Sequence, residues 1–203
     1  SLTAADKIFD RESGLSTLDR IEALHEKSLI RVFETDRDPE GMRFVMLDIV
    51  REYAEEKLRQ STHYEQIAAR HRHYYLDLGR QLNETIFSDQ ISIKQLQLEQ
   101  LNLVAVADHA NDPNVLVQCL VLLDRVFTQY GPYDLHMNLL KRALSRINEV
   151  EPELQVVVLS AHGRALRNRA DFDQAEANLR KAVKLSRKSA SRFREARTLT
   201  HLA

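Results

Sequence analysis

The sequence predicts a mainly α-helical protein with one β-hairpin near its N-terminus. Its 203 residues include only five Gly, four Pro and no Trp, whereas the helix formers Ala, Leu, Glu, Arg and Gln are abundant. Apolar residues recur every three or four positions along most of the chain, which is the period of an amphipathic helix. Only the segments 29–33 and 42–46 have the apolar, β-branched character of strands.

Two helix starts are predicted at the N-terminus. In each, a hydroxyl side chain precedes an acidic residue by three positions: Thr3 precedes Asp6, and Ser16 precedes Asp19. The hydroxyl group can cap the first turn, and the carboxylate is favourable near the positive end of the helix dipole.

The predicted hairpin runs directly into a helix. Its strands LIRVF and MRFVM flank the polar turn ETDRDPEG, in which Pro39 and Gly41 favour a reversal of the chain. From Leu47 the apolar period becomes helical, so a helix is expected from Leu47 to Gln60 without an intervening breaker. Its apolar side consists of Leu47, Val50, Ala54 and Leu58.

Further helices are predicted downstream. An apolar stripe runs from Tyr64 to Leu82, and IKQLQLEQLNLVAVADHA, residues 93–110, predicts one continuous helix. Asp112 and Pro113 suit the cap and first position of the next helix, which is apolar almost all round its first half and should be buried. Gly131-Pro132 ends that helix; another is expected over 133–150, and Pro152 opens the one after it.

The C-terminal part contains an internal repeat with an offset of 39 residues. At this offset, Tyr133, Leu140 and Ala143 align with Phe172, Leu179 and Ala182, while Ala175 falls on His136 as a poor match. A period shared by successive helix pairs predicts stacked helical hairpins.

The segment LSAHGRALRNRADFDQAEANLRKAVKL, residues 159–185, resembles a tetratricopeptide repeat. The resemblance implies that small residues allow close approach of the helices and that larger ones fill the space between them. It departs from the family at Arg187, where Pro is usual, and in its spacing, which exceeds the usual 34 residues. The implied packing residues are Tyr133, Leu140, Ala143, Leu159, Gly163, Leu166, Phe172, Ala175, Leu179 and Ala182.

Four N-terminal segments together resemble the region that follows the nucleotide-binding core of bacterial STAND-type signalling ATPases, including AfsR- and LuxR-type regulators. They are LDRIEALHEKSLIRVF, MRFVMLDIVREYAEEKL, RHRHYYLDLG and LEQLNL. The resemblance implies a partial winged helix followed by a TPR-like α-α superhelix. We therefore expect a winged-helix domain truncated at its N-terminus over 1–61, linking helices over 62–110, and C-terminally truncated repeats over 111–203.

The same resemblance implies a regulatory and non-catalytic role. The winged helix would pack on an intramolecular nucleotide-binding domain, and the repeats would sense a protein or small-molecule signal. The chain lacks a G-x-x-x-x-G-K-[ST] loop, so ATP or ADP is expected in an upstream domain, with no cofactor, catalytic residue or metal ligand here. A single cysteine, Cys119, and the lack of a signal peptide or membrane span favour a cytoplasmic protein without a membrane partner.

A DNA-binding winged-helix transcription factor is the alternative interpretation. The candidate recognition helix, 17–28, has a net charge of −1, and the wing, 34–43, has −2. Both would have to approach phosphates, so their charge disfavours direct DNA binding.

A basic stretch, 164–197, carries eleven Lys or Arg against four acidic residues, a local charge of +7 that leaves −8 for the rest. It is either an interaction face or a solvated helix surface. The residues of this face are Arg180, Lys181, Lys184, Arg187 and Lys188.

Two patterns that resemble metal sites are interpreted as structural. DRDPEG spaces its oxygen ligands like a calcium-binding loop, but Leu47 stands at the twelfth position, where a bidentate Glu is required. His71 and His73 lie about 200° apart around a helix and cannot share a metal. His71 is expected to pack against apolar residues, His73 to be solvated, and Cys119 to be a buried thiol.

Overall fold

The computed structural model describes residues 1–9, 16–36, 41–86 and 89–188. Within these ranges the protein is mainly helical, with ten α-helices and one two-stranded antiparallel sheet. The predicted fold class is confirmed at this level, while the winged helix, the superhelix and the three-part division remain predictions. The chain divides into two compact units, Ser1–Glu99 and Gln100–Ala203. The centre of the predicted polar turn, 37–40, and the last part of the predicted repeats, 189–203, lie outside the described residues.

The first unit contains five helices and the β-hairpin. Its helices α1 and α2 precede the hairpin strands β1 and β2, and α3, α4 and α5 follow them. The bounds are α1 Leu2–Ile8, α2 Thr17–Glu26, β1 Ile30–Glu34, β2 Met42–Met46, α3 Asp48–Arg59, α4 Tyr64–Thr85 and α5 Gln90–Leu98.

The cap of α2 confirms one predicted helix start and the cap of α1 corrects the other. Ser16 accepts a hydrogen bond from the Asp19 backbone N–H, and the Asp19 carboxylate accepts one from the Ser16 N–H, which completes a capping box. The prediction for Thr3 is wrong, because α1 already begins at Leu2 and is capped by Ser1.

The hairpin strands pair antiparallel, with Ile30 opposite Met46 and Glu34 opposite Met42. Ile30 is buried on β1 and Arg43 is buried on β2. Because neighbouring residues of a strand point to opposite faces, this register places Ile30 and Arg43 on opposite faces of the hairpin.

The core of the first unit lies around α4, which packs against α1 and α5. Tyr75 and Leu76 of α4 and Leu96 of α5 are buried there. The prediction of one continuous helix over 93–110 is wrong, because the backbone of Glu99 departs from helical geometry (φ −89°, ψ 2°) and ends α5. The chain resumes as a separate helix at Gln100.

The second unit, where it is described, has five helices in sequential contact. They are α6 Gln100–Asp108, α7 Pro113–Tyr130, α8 Tyr133–Ser145, α9 Pro152–Asn168 and α10 Phe172–Lys188, with a 3-10 turn at Ile147–Glu149. As predicted, Asp112 caps α7 and Pro113 occupies its first turn. Nine residues of α7 are buried, so the prediction of a central helix is confirmed. The predicted helix over 133–150 ends earlier, at Ser145.

The turn between α9 and α10 closes with the two backbone hydrogen bonds of a Schellman motif. The Asp171 N–H donates to the Leu166 carbonyl group at 3.0 Å, and the Ala170 N–H donates to the Arg167 carbonyl group at 2.9 Å. Ala170 occupies the left-handed position of this motif with φ 61°. This turn reverses the chain and allows α10 to pack back along α9.

Among the described residues, no helix combines the length and apolar character needed to cross a membrane.

Candidate functional site

The most exposed apolar surface of the first unit lies on α3. We call Ile49 and Tyr53 the α3 face, because they lie one helical turn apart on the same side. Ile49 is 76% exposed and Tyr53 is 61% exposed, and no residue of α3 is buried. Helices usually gain their stability by burying an apolar side, so this helix presents a surface suited to a partner.

The sequence predicted the other side of α3 as its apolar stripe. Val50 and Leu58 of that stripe are half-buried, whereas Ala54 is exposed. Ile49 and Tyr53 were not identified from the sequence. Two large apolar residues at an i,i+4 spacing outside the main stripe nevertheless indicate a second apolar side of the helix.

Charged side chains surround the α3 face. Lys57 lies over the ring of Tyr53, 5.3 Å from its centroid, and Glu52 and Glu56 are exposed on the same helix. Arg59 binds Glu55 at 2.5 Å. An apolar centre with a charged rim is the usual anatomy of a protein interface.

A buried ion pair fixes the hairpin within the first unit. The Arg43 guanidinium lies 2.6 Å from the Glu99 carboxylate, with side-chain exposures of 8% and 10%. The strand that leads into α3 is thereby attached to the residue at which α5 ends. Sequence reasoning missed this pair, because nothing local to either residue indicates its partner.

The candidate recognition helix α2 exposes acidic side chains. Asp19, Glu22 and Glu26 are all exposed, while Ile21 is buried against the rest of the unit. A surface of this charge repels phosphate groups.

The helical hairpin α9–α10 has its closest approach at Gly163. A Cβ atom at this position would lie 2.7 Å from Leu179 Cγ and 3.2 Å from the carbonyl oxygen of Ala175. Two apolar clusters flank this contact. Their buried members are Met137, Leu166 and Ala175 in one, and Val156, Leu159 and Ala182 in the other.

Eight of the ten predicted packing residues are buried: Leu140, Ala143, Leu159, Gly163, Leu166, Ala175, Leu179 and Ala182. Tyr133 and Phe172 are 60% and 63% exposed and so lie outside the buried core of the hairpins. Each is the first residue of its helix, where the Cα–Cβ bond tilts toward the N-terminus and away from the rest of the helix.

The basic face of α10 is solvent-exposed where it is described. Arg180, Lys181, Lys184 and Arg187 are exposed, and the side chain of Lys188 lies outside the described residues. Arg180 binds Glu176 at 2.5 Å, one helical turn earlier. Cations near the C-terminal end of a helix are also favoured by its dipole, so both interpretations of this face stay open.

The remaining candidates occupy ordinary structural positions. The His71 ring lies 4.7 Å from that of Tyr75 and is half-buried, while His73 is exposed and lies 3.0 Å from Asp77. Cys119 is fully buried in α7. No group of three His, Cys, Asp or Glu side chains suited to a metal ion occurs in the ranges that the structure describes.

Comparison of the chain with protein-family models, with curated proteins and with solved structures finds no match.

Proposed function

We propose that this chain is a non-catalytic, protein-interaction region of a cytoplasmic STAND-type signalling ATPase or transcriptional regulator. In this proposal, the first unit packs on a nucleotide-binding domain of the same protein through the α3 face. The helical hairpins of the second unit receive a protein or small-molecule signal. ATP or ADP is bound by the nucleotide-binding domain and not by the residues described above.

The exposure of Ile49 and Tyr53 is the observation that carries this proposal. Two large apolar side chains on a helix without a buried residue lose contact with water only when a partner covers them. Burial of both would stabilise a complex by about 2 to 4 kcal/mol before the entropic cost of association.

The charge of the first unit favours a protein partner over DNA. The acidic residues exposed on α2, namely Asp19, Glu22 and Glu26, would face phosphates if this helix entered the major groove. A protein surface can complement such a helix with basic side chains.

The second unit supports a binding role through its helical hairpin. The fit of Leu179 against Gly163 makes α9 and α10 a tightly packed pair. Stacked pairs of this kind form extended surfaces that bind proteins and peptides.

Site-specific photocrosslinking tests the proposal in the full-length protein that carries this chain. A benzoylphenylalanine placed at position 49 should crosslink to peptides of a nucleotide-binding domain, identified by mass spectrometry. Position 66 is the matched control, because Gln66 is also exposed on a helix of the same unit but lies outside the α3 face. Equal crosslinking yields from positions 49 and 66 would contradict the proposal.

A measurement of duplex DNA binding by the isolated chain distinguishes the proposed protein-interaction function from direct DNA binding. Fluorescence anisotropy with labelled DNA should show no salt-dependent binding between about 50 and about 200 mM salt, the range over which phosphate contacts weaken strongly. Tight binding that weakens with salt would instead support the DNA-binding function.

A further inference from the structure

A buried histidine lies where three helices of the second unit meet. His136, in the first turn of α8, is only 5% exposed. Its ring stacks on Phe127 of α7, with centroids 4.9 Å apart and an interplanar angle of 14°. Phe127 is itself fully buried, so the imidazole forms part of the core.

The same ring faces a carboxylate that is already engaged by an arginine. Asp124 of α7 binds Arg164 of α9 through Oδ2 at 2.5 Å. Its other oxygen, Oδ1, lies 3.6 Å from His136 Nε2, which is longer than a hydrogen bond. Within the described residues, neither Oδ1 nor Nε2 has a hydrogen-bond partner.

We propose that Asp124, His136 and Arg164 form a proton-sensitive clamp, in which protonation of His136 loosens the packing of α8 against α7 and α9. This inference does not depend on the proposed function. It gives the second unit a response to acidification that is built into its core.

The charges around His136 explain why protonation loosens the clamp. With a neutral imidazole, the Asp124 carboxylate and the Arg164 guanidinium balance each other. An imidazolium adds a positive charge near Arg164, and His162 of α9 is a further titratable group that acts on the ring. Asp124 favours the added proton, but its Oδ1 lies beyond hydrogen-bond distance of the ring. A buried charge without a hydrogen bond is costly, so the ring must move or the helices must separate.

The direction of the pH effect follows from the same contacts. Burial lowers the pKa of His136 below its ordinary value, and Arg164 and His162 lower it further, whereas Asp124 raises it. An unfolded chain therefore binds more protons than the folded one once the pH falls below about 6.5. The stability of the second unit is complete above that pH and decreases as the pH falls toward the folded pKa.

Hydrogen exchange on the whole chain measures the effect. We expect the opening of α8 amides to increase by up to about tenfold between pH 7.5 and pH 5.5, because the unfolded imidazole takes up its proton near pH 6.5 and the folded one does so at lower pH. A His136→Phe variant keeps an aromatic ring on Phe127 but cannot titrate, so its increase should be at least about fivefold smaller. His73→Gln is the control, because His73 is exposed on α4, and it should behave as the unchanged protein does.

His162 requires its own variant, because burial also lowers its pKa. The His162→Gln protein should still show the increase in α8 opening that depends on His136. This is the increase that His136→Phe loses. An equal increase in opening for His136→Phe and the unchanged protein would overturn the proposal. If His136→Phe does not fold, an imidazole NMR titration of the unchanged protein tests the proposal instead. A pKa of His136 at or above the ordinary value of about 6.5 would overturn it.

Discussion

Arg43 and Glu99 form a buried ion pair that connects β2 to the residue at which α5 ends. The pair lies away from water, so each charge relies on the other for compensation. The hairpin therefore cannot separate from the core of the first unit without breaking this ion pair. The hairpin is therefore a fixed part of this unit and not a loosely attached arm.

Removal of one partner of this pair should be strongly destabilising. We expect Arg43→Met or Glu99→Gln to lower the free energy of unfolding by about 3 to 5 kcal/mol, because the remaining group stays buried without its partner. Urea denaturation measures this loss. Arg51→Met is the matched control, because the Arg51–Asp48 pair is exposed and should be worth less than about 1 kcal/mol. Similar losses in the buried and exposed variants would show that the burial of Arg43 is unimportant.

Gly163→Ala should destabilise the second unit although Ala favours helices. The added Cβ atom would lie 2.7 Å from Leu179 Cγ, so the Leu179 side chain must shift or the helices must move apart, at a cost of about 1 to 3 kcal/mol. Thermal unfolding measures the change. In a Leu179→Ala background most of this additional cost should disappear, because the clashing side chain has been removed. A constant cost in both backgrounds would argue against the close contact.

Ala170→Gly should stabilise the turn between α9 and α10. Ala170 has φ 61°, a conformation that glycine adopts without strain, so we expect a gain of about 0.5 to 1 kcal/mol. The same substitution at Ala177, exposed within α10, should instead cost about 1 kcal/mol. Calorimetry should therefore show melting temperatures that shift in opposite directions for the two variants. Shifts in the same direction would refute the explanation.

The α3 face should be dispensable for folding. Ile49→Ser should change the free energy of unfolding by less than about 0.5 kcal/mol, because Ile49 is largely exposed. Val50→Ser, at the neighbouring half-buried position, should cost about 1 kcal/mol or more. The midpoints of urea denaturation compare the stabilities of the two variants. A larger loss for Ile49→Ser would mean that this side chain stabilises the first unit itself and is not reserved for a partner.

The cap of α5 should weaken in acid. Asp89 accepts hydrogen bonds from the Ile91 backbone N–H at 2.9 Å and from the Ser92 hydroxyl at 3.0 Å. The Ile91 N–H is the largest cause that holds the pKa of Asp89 below its usual range. The stabilisation of α5 by the ionised Asp89 carboxylate is therefore present above the unfolded pKa of Asp89. It is lost as the pH falls through the folded pKa. Melting temperatures of the protein and of Asp89→Asn should differ at pH 6, and the difference should decrease as the pH falls below about 3.8. A constant difference would contradict this.

The parts of the fold that depend on neighbouring residues could be predicted from the sequence. The capping box of Ser16 and Asp19 and the start of α7 at Asp112 and Pro113 each involve residues a few positions apart. Such signals are complete within a short segment, so a single sequence contains them.

Features that depend on distant residues could not be predicted in the same way. The segment 93–110 has an unbroken apolar pattern, but α5 ends at Glu99. This residue pairs with Arg43, far earlier in the chain. The offset of 39 residues aligns Tyr133 with Phe172, and each is the first residue of its helix. Their exposure follows from this place at the helix starts. Periodicity identifies a side chain as apolar and does not show whether a neighbour covers it.

The junction at Leu47 connects α3 to the hairpin through a single residue. Leu47 alone separates the last residue of β2 from the first residue of α3, so one pair of backbone torsions, φ −61° and ψ 144°, sets the direction of the helix. Any displacement of α3 is therefore transmitted through the backbone to the strand that carries Arg43. The Arg43–Glu99 ion pair opposes that displacement.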